Sequence, residues 1–223
     1  MGDVHRLIAF DLDGTLIDSR QDLADSANQL LGELGAAALS VDAITRMVGE
    51  GARVLVQRAL AAAGLQEWPG ALPRFLEIYD TRLLNHTNVY EGVMDAVRLA
   101  RQHARVAVLT NKPAQPSERI LDGLGIRDLF DELIGGDGPF GRTPDPAGLV
   151  SLMGSARATA DRTLMVGDSA IDHETARRAS VLCCLTAYGY GYETFPAERL
   201  TGDEWVVTSA QELCAAIARF AAQ

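Results

Sequence analysis

Asp11 and Asp13 are the residues whose type and spacing can do chemistry. They follow the apolar run LIAF at 7–10, within the motif DLDGT at 11–15. Two carboxylates so close repel each other unless a cation or a shared proton lies between them. One of them can attack phosphorus as a nucleophile, while the other protonates the leaving oxygen and later activates water. A plain solvated turn is the alternative interpretation, because Asp and Gly both favour turns.

The turn that follows fits a phosphate site. Gly14 permits a tight turn that brings backbone N–H groups toward phosphate oxygens. We expect a cation to hold Asp11 in its ionised form as the nucleophile, with Asp13 aimed across the turn at the leaving group. The motif thus predicts phosphoryl transfer, provided that the rest of the chain supplies partners.

Further polar residues follow two other apolar runs. Thr110 comes directly after the run at 106–109 and can donate a hydrogen bond to a phosphoryl oxygen, although Thr is also common in ordinary strands. Lys112 can add positive charge, although a lysine is usually on the surface. Asp168 follows the run at 164–166, and Asp172 lies one helical turn later. With Asp11 they supply the hard oxygen ligands that Mg²⁺ prefers.

The same two acids also suit another role. Asp168 and Asp172 can cap a helix and compensate its dipole, and both roles can hold at once. The four histidines of the chain are scattered, and we expect His173 on a helix surface rather than at a metal.

The elements that position these residues form an α/β fold. Apolar runs alternate with helical patterns, which predicts a doubly wound parallel sheet with functional residues at the carboxyl ends of its strands. The predicted strands lie at 7–10, 106–109, 133–134, 164–166, 181–185 and 205–207.

A long helical interval separates the first two strands. A crossover needs only about a dozen residues, so the surplus predicts a helical cap inserted after the acidic loop. The core would comprise residues 1–17 and 86–223, and the cap segment residues 18–85. The alternative is that these helices extend the core layer.

Composition excludes several classes. The chain has 223 residues and a formal net charge of −10, which argues against binding to nucleic acid or to an anionic membrane surface. No apolar run reaches the length of a membrane span, and the N-terminal residues lack a signal-peptide pattern, so we expect a cytoplasmic protein. Three cysteines, two of them adjacent in an apolar run, are expected to be reduced core residues rather than a redox pair.

The motifs together resemble the haloacid dehalogenase (HAD) superfamily. The resemblance rests on DLDGT at 11–15, Thr110 and GDSAID at 167–172, in this order with a helical insert after the first, and it covers nearly the whole chain. The segments VGEGARVLV at 48–56 and TNKP at 110–113 are most similar to the phosphoglycolate phosphatase branch of that superfamily.

The resemblance implies a Mg²⁺-dependent phosphomonoesterase with a Rossmann-like core. Asp11 would be the nucleophile, Asp13 the acid and base, and Thr110 a phosphate ligand. The metal ligands would be Asp11, the Asp13 carbonyl and Asp168, with Asp172 in or near the second layer of ligands. The residues expected to bind substrate are Leu12, Gly14, Asn111, Lys112 and, from the cap loop at 49–53, Arg53.

One position departs from the family pattern. A lysine normally precedes proline in the third motif, where it pairs with the nucleophile, but here Thr143 stands before Pro144. A hydroxyl cannot neutralise phosphoryl charge, and the loss of such a cation costs orders of magnitude in rate. Arg142 is the favoured replacement because its planar guanidinium suits phosphate, and Lys112 is the alternative.

Other functions stay open at this point. The expected partner is a small-molecule phosphate ester, with 2-phosphoglycolate as one candidate, bound by a monomer or a homodimer. A catalytically impaired binding or regulatory protein would explain Thr143, and a phosphoglucomutase-type phosphotransferase would share the same motifs. A dehalogenase needs neither Asp13 nor the full acid set, so the acids present argue against it.

Overall fold

The predicted strands form one parallel sheet. A computed structural model describes residues 5–223, so residues 1–4 of the predicted core lie outside the described residues. The strands are β1 (His5–Phe10), β2 (Ile17–Asp18), β3 (Asn88–Val89), β4 (Arg105–Leu109), β5 (Glu132–Ile134), β6 (Ala158–Gly167), β7 (Leu182–Thr186) and β8 (Trp205–Val207). Six of them pair in parallel in the order β5-β4-β1-β6-β7-β8. All six predicted strands are therefore confirmed.

Helices cover both faces of this sheet. The helices are α1 (Arg20–Glu33), α2 (Val41–Thr45), α3 (Ala52–Ala62), α4 (Ala71–Asp80), α5 (Val93–Arg101), α6 (Ala114–Gly123), α7 (Ala147–Ala156), α8 (Ala170–Ala179) and α9 (Ala210–Ala221). Ile8 and Phe10 of β1 pack with α5, α6 and α9, whereas Leu7 and Ala9 pack with α7 and α8. Because successive side chains of a strand point to opposite faces, the continuous apolar run of β1 supplies both cores. The doubly wound α/β class is confirmed.

The cap segment contains α1 to α4. The antiparallel pair β2 and β3 joins the chain leaving the acidic loop to the chain returning from α4. Buried Asp22 of α1 accepts hydrogen bonds from the backbone N–H groups of His86 and Thr87 and from the Thr87 hydroxyl, at 2.8–3.1 Å. These bonds fasten the first cap helix to the returning chain. The division into a core and a cap at residues 18 and 85 stays a prediction.

Two of the three cysteines are buried core residues as predicted, whereas Cys214 in α9 is half-buried. Cys183 and Cys184 are buried in β7 and free, and burial raises the pKa of both thiols. No helix among residues 5–223 is long and apolar enough to span a membrane.

Candidate active site

The loop after β1 places the two aspartates at the carboxyl edge of the sheet. The Asp11 N–H donates to the Val166 carbonyl at 2.9 Å, so Asp11 continues the ladder with β6. The chain then turns at Gly14, whose φ of +94° is a conformation that favours glycine. The Gly14 N–H donates to the Ile17 carbonyl at 2.9 Å and closes the turn. The alternative of a plain solvated turn is not observed, because backbone hydrogen bonds hold this loop against β6.

Three carboxylates converge beside this loop. Ligand oxygens of Asp11, Asp168 and Asp172 lie within 4.8 Å of one another. Burial raises the pKa of Asp11 well above its ordinary value, and the charges of Asp172, Asp168 and Asp13 raise it further. Burial likewise raises the pKa of Asp168 and of Asp172. Buried carboxylates at this spacing are a donor set that suits a hard divalent cation.

Asp172 takes the helix-capping role weighed from the sequence, and its role at a metal stays a prediction. It lies in the first turn of α8 and accepts from the Ser169 N–H at 3.0 Å and the Ser169 hydroxyl at 2.6 Å. The Ser169 side chain in turn accepts from backbone N–H groups of the same turn, which completes a capping box. The cap fixes the Asp172 carboxylate beside Asp168.

Glycines hold Asp168 in place, and sequence reasoning missed two of them. A Cβ added to Gly14, Gly189 or Gly191 would lie within 2.8 Å of the Asp168 carboxylate. The Gly191 N–H also donates to Asp168 Oδ2 at 2.7 Å. The signal that could have revealed this loop is the alternation YGYGY at 188–192, because it follows β7 at the same sheet edge.

The cation that contacts Asp13 is a buried lysine and not an arginine. The Lys112 ammonium lies 2.9 Å from both carboxylate oxygens of Asp13, and the Ser19 hydroxyl donates to Asp13 Oδ1 at 2.5 Å. Burial alone would lower the pKa of Lys112, but Asp13 more than offsets it, so the pKa lies above its ordinary value. The surface position weighed for Lys112 is wrong. The cation contacts Asp13, whereas the sequence led us to expect it on Asp11.

Arg142 and Thr143 lie outside this ion pair. The Arg142 Nε donates to the Gly136 carbonyl at 3.2 Å, and Arg142 forms no ion pair with any acid among residues 5–223. The Thr143 carbonyl accepts from Asn111 Nδ2 at 3.1 Å, and the Gly49 carbonyl accepts from the same nitrogen at 2.9 Å. Arg142 is therefore not the cation that meets Asp13.

The remaining predicted residues divide between the site and its surroundings. Thr110 is buried beside Lys112, whose N–H donates to the Thr110 hydroxyl at 3.2 Å. The Leu12 side chain is fully buried in the core, so only its backbone can serve a ligand. Arg53 is exposed and lies with Arg142 in a neighbouring pocket rather than above Asp11.

A small cavity of about 50 Å³ lies between the cap segment and the core. Its polar wall consists of Asp11, Asp13, Thr110, Asn111 and Lys112 from the core. The cap segment contributes mainly apolar side chains, and these are Leu23, Val48, Ala52, Leu55, Phe75, Leu76 and Tyr79. The core thus supplies the polar wall of the cavity, and the cap segment supplies a largely apolar wall.

The fold and the site define a class of protein, and comparison with known proteins agrees. The chain belongs to the haloacid dehalogenase-like hydrolases, whose family model matches residues 8–186. Within that family it is phosphoglycolate phosphatase-like. It is 42% identical over 197 residues to the phosphoglycolate phosphatase of Rhodospirillum rubrum, covering 84% of this chain and 82% of that protein. The phosphoglycolate phosphatase of Colwellia psychrerythraea is 35% identical, over 96% of this chain and 97% of its own.

A solved structure gives the same result. The crystal structure of a predicted phosphoglycolate phosphatase from Haemophilus somnus superposes with a TM-score of 0.86 at 30% identity, covering 95% of this chain and 97% of that one. Together these relatives identify the protein as a phosphatase.

Proposed function

We propose that the protein is a Mg²⁺-dependent phosphomonoester hydrolase that acts on a small phosphorylated metabolite through an aspartyl-phosphate on Asp11. The observation that carries this proposal is the difference between two carboxylates one residue apart. Asp11 lies among acids at the sheet edge, whereas Asp13 contacts Lys112 and Ser19. Two carboxyl groups in different surroundings can divide the work of nucleophile and acid.

The proposed reaction has two steps, formation of the aspartyl-phosphate and its hydrolysis. A carboxylate oxygen of Asp11 attacks phosphorus, the bond from phosphorus to the ester oxygen breaks, and Asp13 gives its proton to the departing oxygen. Water then attacks the aspartyl-phosphate, gives a proton to Asp13, and releases phosphate together with the free Asp11 carboxylate. Lys112 and Ser19 orient Asp13 in the free protein; on substrate binding the Lys112 ammonium passes to the phosphoryl group, and Asp13 is then free to carry the proton.

The acidic cluster fits the proposed metal by the chemistry of its donors. Asp11, the Asp13 carbonyl and Asp168 would hold Mg²⁺, with Asp172 beside them. Bound there, the ion would supply positive charge to the phosphoryl oxygens. The residues proposed to bind the phosphoryl group are the Thr110 hydroxyl, Lys112 and the backbone N–H groups of the loop that contains Leu12 and Gly14.

The relatives suggest 2-phosphoglycolate as the substrate, since phosphoglycolate phosphatases are similar over most of the chain. A catalytically impaired binding protein is less well supported. The reason to consider it was a missing cation, and Lys112 places a buried cation at the site. We therefore favour an active hydrolase.

A phosphate-release assay tests the proposal. Protein treated with EDTA is assayed with 2-phosphoglycolate, glycerol 3-phosphate and ethyl phosphate, before and after Mg²⁺ is added. We expect turnover only with Mg²⁺, and none above background for Asp11→Asn. Asp203→Asn, which changes an exposed acid on the surface, is the matched control and should retain activity. Turnover by Asp11→Asn, or none by the parent protein with any ester, would contradict the proposal.

A further inference from the structure

Tyr79 of α4 has a buried hydroxyl group with no partner at hydrogen-bond distance among residues 5–223, although the Lys112 ammonium lies close to it. The residue is 3% exposed, and among residues 5–223 its hydroxyl has no hydrogen-bond partner. Its ring stacks on Phe75 of the same helix, with centroids 5.9 Å apart and an interplanar angle of 13°. Phenylalanine would make the same apolar contact without burying an unpaired hydroxyl, so packing does not account for the tyrosine.

The position of Tyr79 points to a ligand. It lines the cavity that contains Asp11, Asp13 and Lys112, and the Lys112 ammonium lies 4.8 Å from its ring centroid. Within the described cap segment, Tyr79 is the one residue on the cavity wall with a polar side chain. Any hydrogen bond from a cap side chain on that wall to a bound molecule must therefore come from Tyr79.

The direction of attack decides which part of the molecule lies near the cap. In phosphoryl transfer the attacking and departing oxygens lie roughly in line with phosphorus. Asp11 attacks from the core side, so the departing oxygen and its organic group lie on the cap side of the cavity. Burial raises the pKa of Tyr79 to about 12 although the nearby Lys112 ammonium acts in the opposite direction, so the phenol keeps its proton at neutral pH and can donate.

We propose that the Tyr79 hydroxyl donates a hydrogen bond to an oxygen atom on the organic part of the substrate, and so selects small phosphate esters that carry such an oxygen near the phosphate. The proposal rests on the phosphatase function proposed above. The other cap side chains around Tyr79 are apolar, so no other cap side chain on that wall offers the organic group a hydrogen bond.

Tyr79→Phe tests this specificity because it removes only the hydroxyl. The matched control is Tyr90→Phe, since the Tyr90 hydroxyl is also buried and unpaired among residues 5–223 but the residue lies in a different pocket, against Tyr188. Steady-state kinetics are measured with 2-phosphoglycolate, which carries the oxygen, and with ethyl phosphate, which lacks it. Inhibition by inorganic phosphate reports the phosphoryl end alone, and thermal unfolding reports stability.

We expect Tyr79→Phe to lower kcat/KM for 2-phosphoglycolate about 3- to 10-fold, the equivalent of one hydrogen bond. For ethyl phosphate the change should be less than about 2-fold, with phosphate inhibition and the unfolding temperature not lowered. Tyr90→Phe should change none of these kinetic values. An equal loss with both esters, no loss with either, or a marked loss of stability would overturn the proposal. Parent protein that hydrolyses neither ester would instead refute the phosphatase function.

Discussion

Replacing Lys112 with methionine should destabilise the fold and remove most of the activity. Two unit charges 2.9 Å apart attract by about 6 kcal/mol at an effective dielectric constant of about 20. Part of that attraction offsets the cost of burying both groups, so the net effect of removing one partner is about 3–5 kcal/mol. Methionine keeps the apolar stem of the lysine beside Tyr79, so the loss reports the charge rather than packing.

A double-mutant cycle isolates this pair. Urea unfolding is measured in EDTA for Lys112→Met, Asp13→Asn and the double variant, with Arg142→Met as the control cation. We expect the double variant to recover at least about 2 kcal/mol relative to the sum of the single changes, and Arg142→Met to cost less than about 1 kcal/mol. The assignment of Lys112 as the partner cation fails if the coupling is near zero or if Arg142→Met costs as much.

The same variants separate the two candidate cations by rate. Lys112→Met should lower Mg²⁺-dependent phosphate release by about 100-fold or more, the cost of losing one preorganised charged group. Thr143→Lys should leave the rate nearly unchanged, because Lys112 already supplies a cation. A large gain from Thr143→Lys would show that the site lacks a charge that Lys112 does not provide.

Further predictions concern stability. Gly189→Ala should cost about 1–3 kcal/mol in urea unfolding and weaken Mg²⁺ activation, because its Cβ would lie 2.4 Å from the Asp168 Cβ. Gly154→Ala, with open space around it in α7, should instead stabilise by about 0.5–1 kcal/mol, and equal effects would contradict the argument. Burial alone would raise the pKa of Glu204, but hydrogen bonds, first that from His173, lower it from 4.5 to about 2. Its contribution is therefore complete above about pH 4.5 and lost as the pH falls toward about 2, so Glu204→Gln should flatten the fall in urea midpoint measured across that range.

Much of the fold could be predicted because its signals are local. The continuous apolar runs at 7–10 and 164–166 have the pattern of strands buried on both faces, and they are the neighbours β1 and β6. Polar residues that directly follow such strands must meet at one edge of the sheet. That rule alone is enough to place Asp11 and Asp168 together.

The parts that failed depend on contacts between distant segments. Lys112 was a candidate from the motif at 110–113, but it pairs with Asp13 ninety-nine positions away, and no local signal identifies that partner. His173, expected on a helix surface, is buried against Glu204 at 2.6 Å, because α8 packs under the loop before β8. Gly189 has no functional side chain, so only the close approach of its backbone to Asp168 reveals its role.

The placement of Lys112, the one buried lysine or arginine among residues 5–223, explains how two aspartates in one loop can differ. Lys112 offsets the charge of Asp13, and no Lys or Arg among residues 5–223 forms an ion pair with Asp11, Asp168 or Asp172. Burial and repulsion from the neighbouring carboxylates raise the pKa of Asp11. Its ionised form therefore requires a cation that the protein's own side chains do not supply there. Because Lys112 contacts Asp13 and not Asp11, a bound cation can approach Asp11 from the side of Asp168 and Asp172.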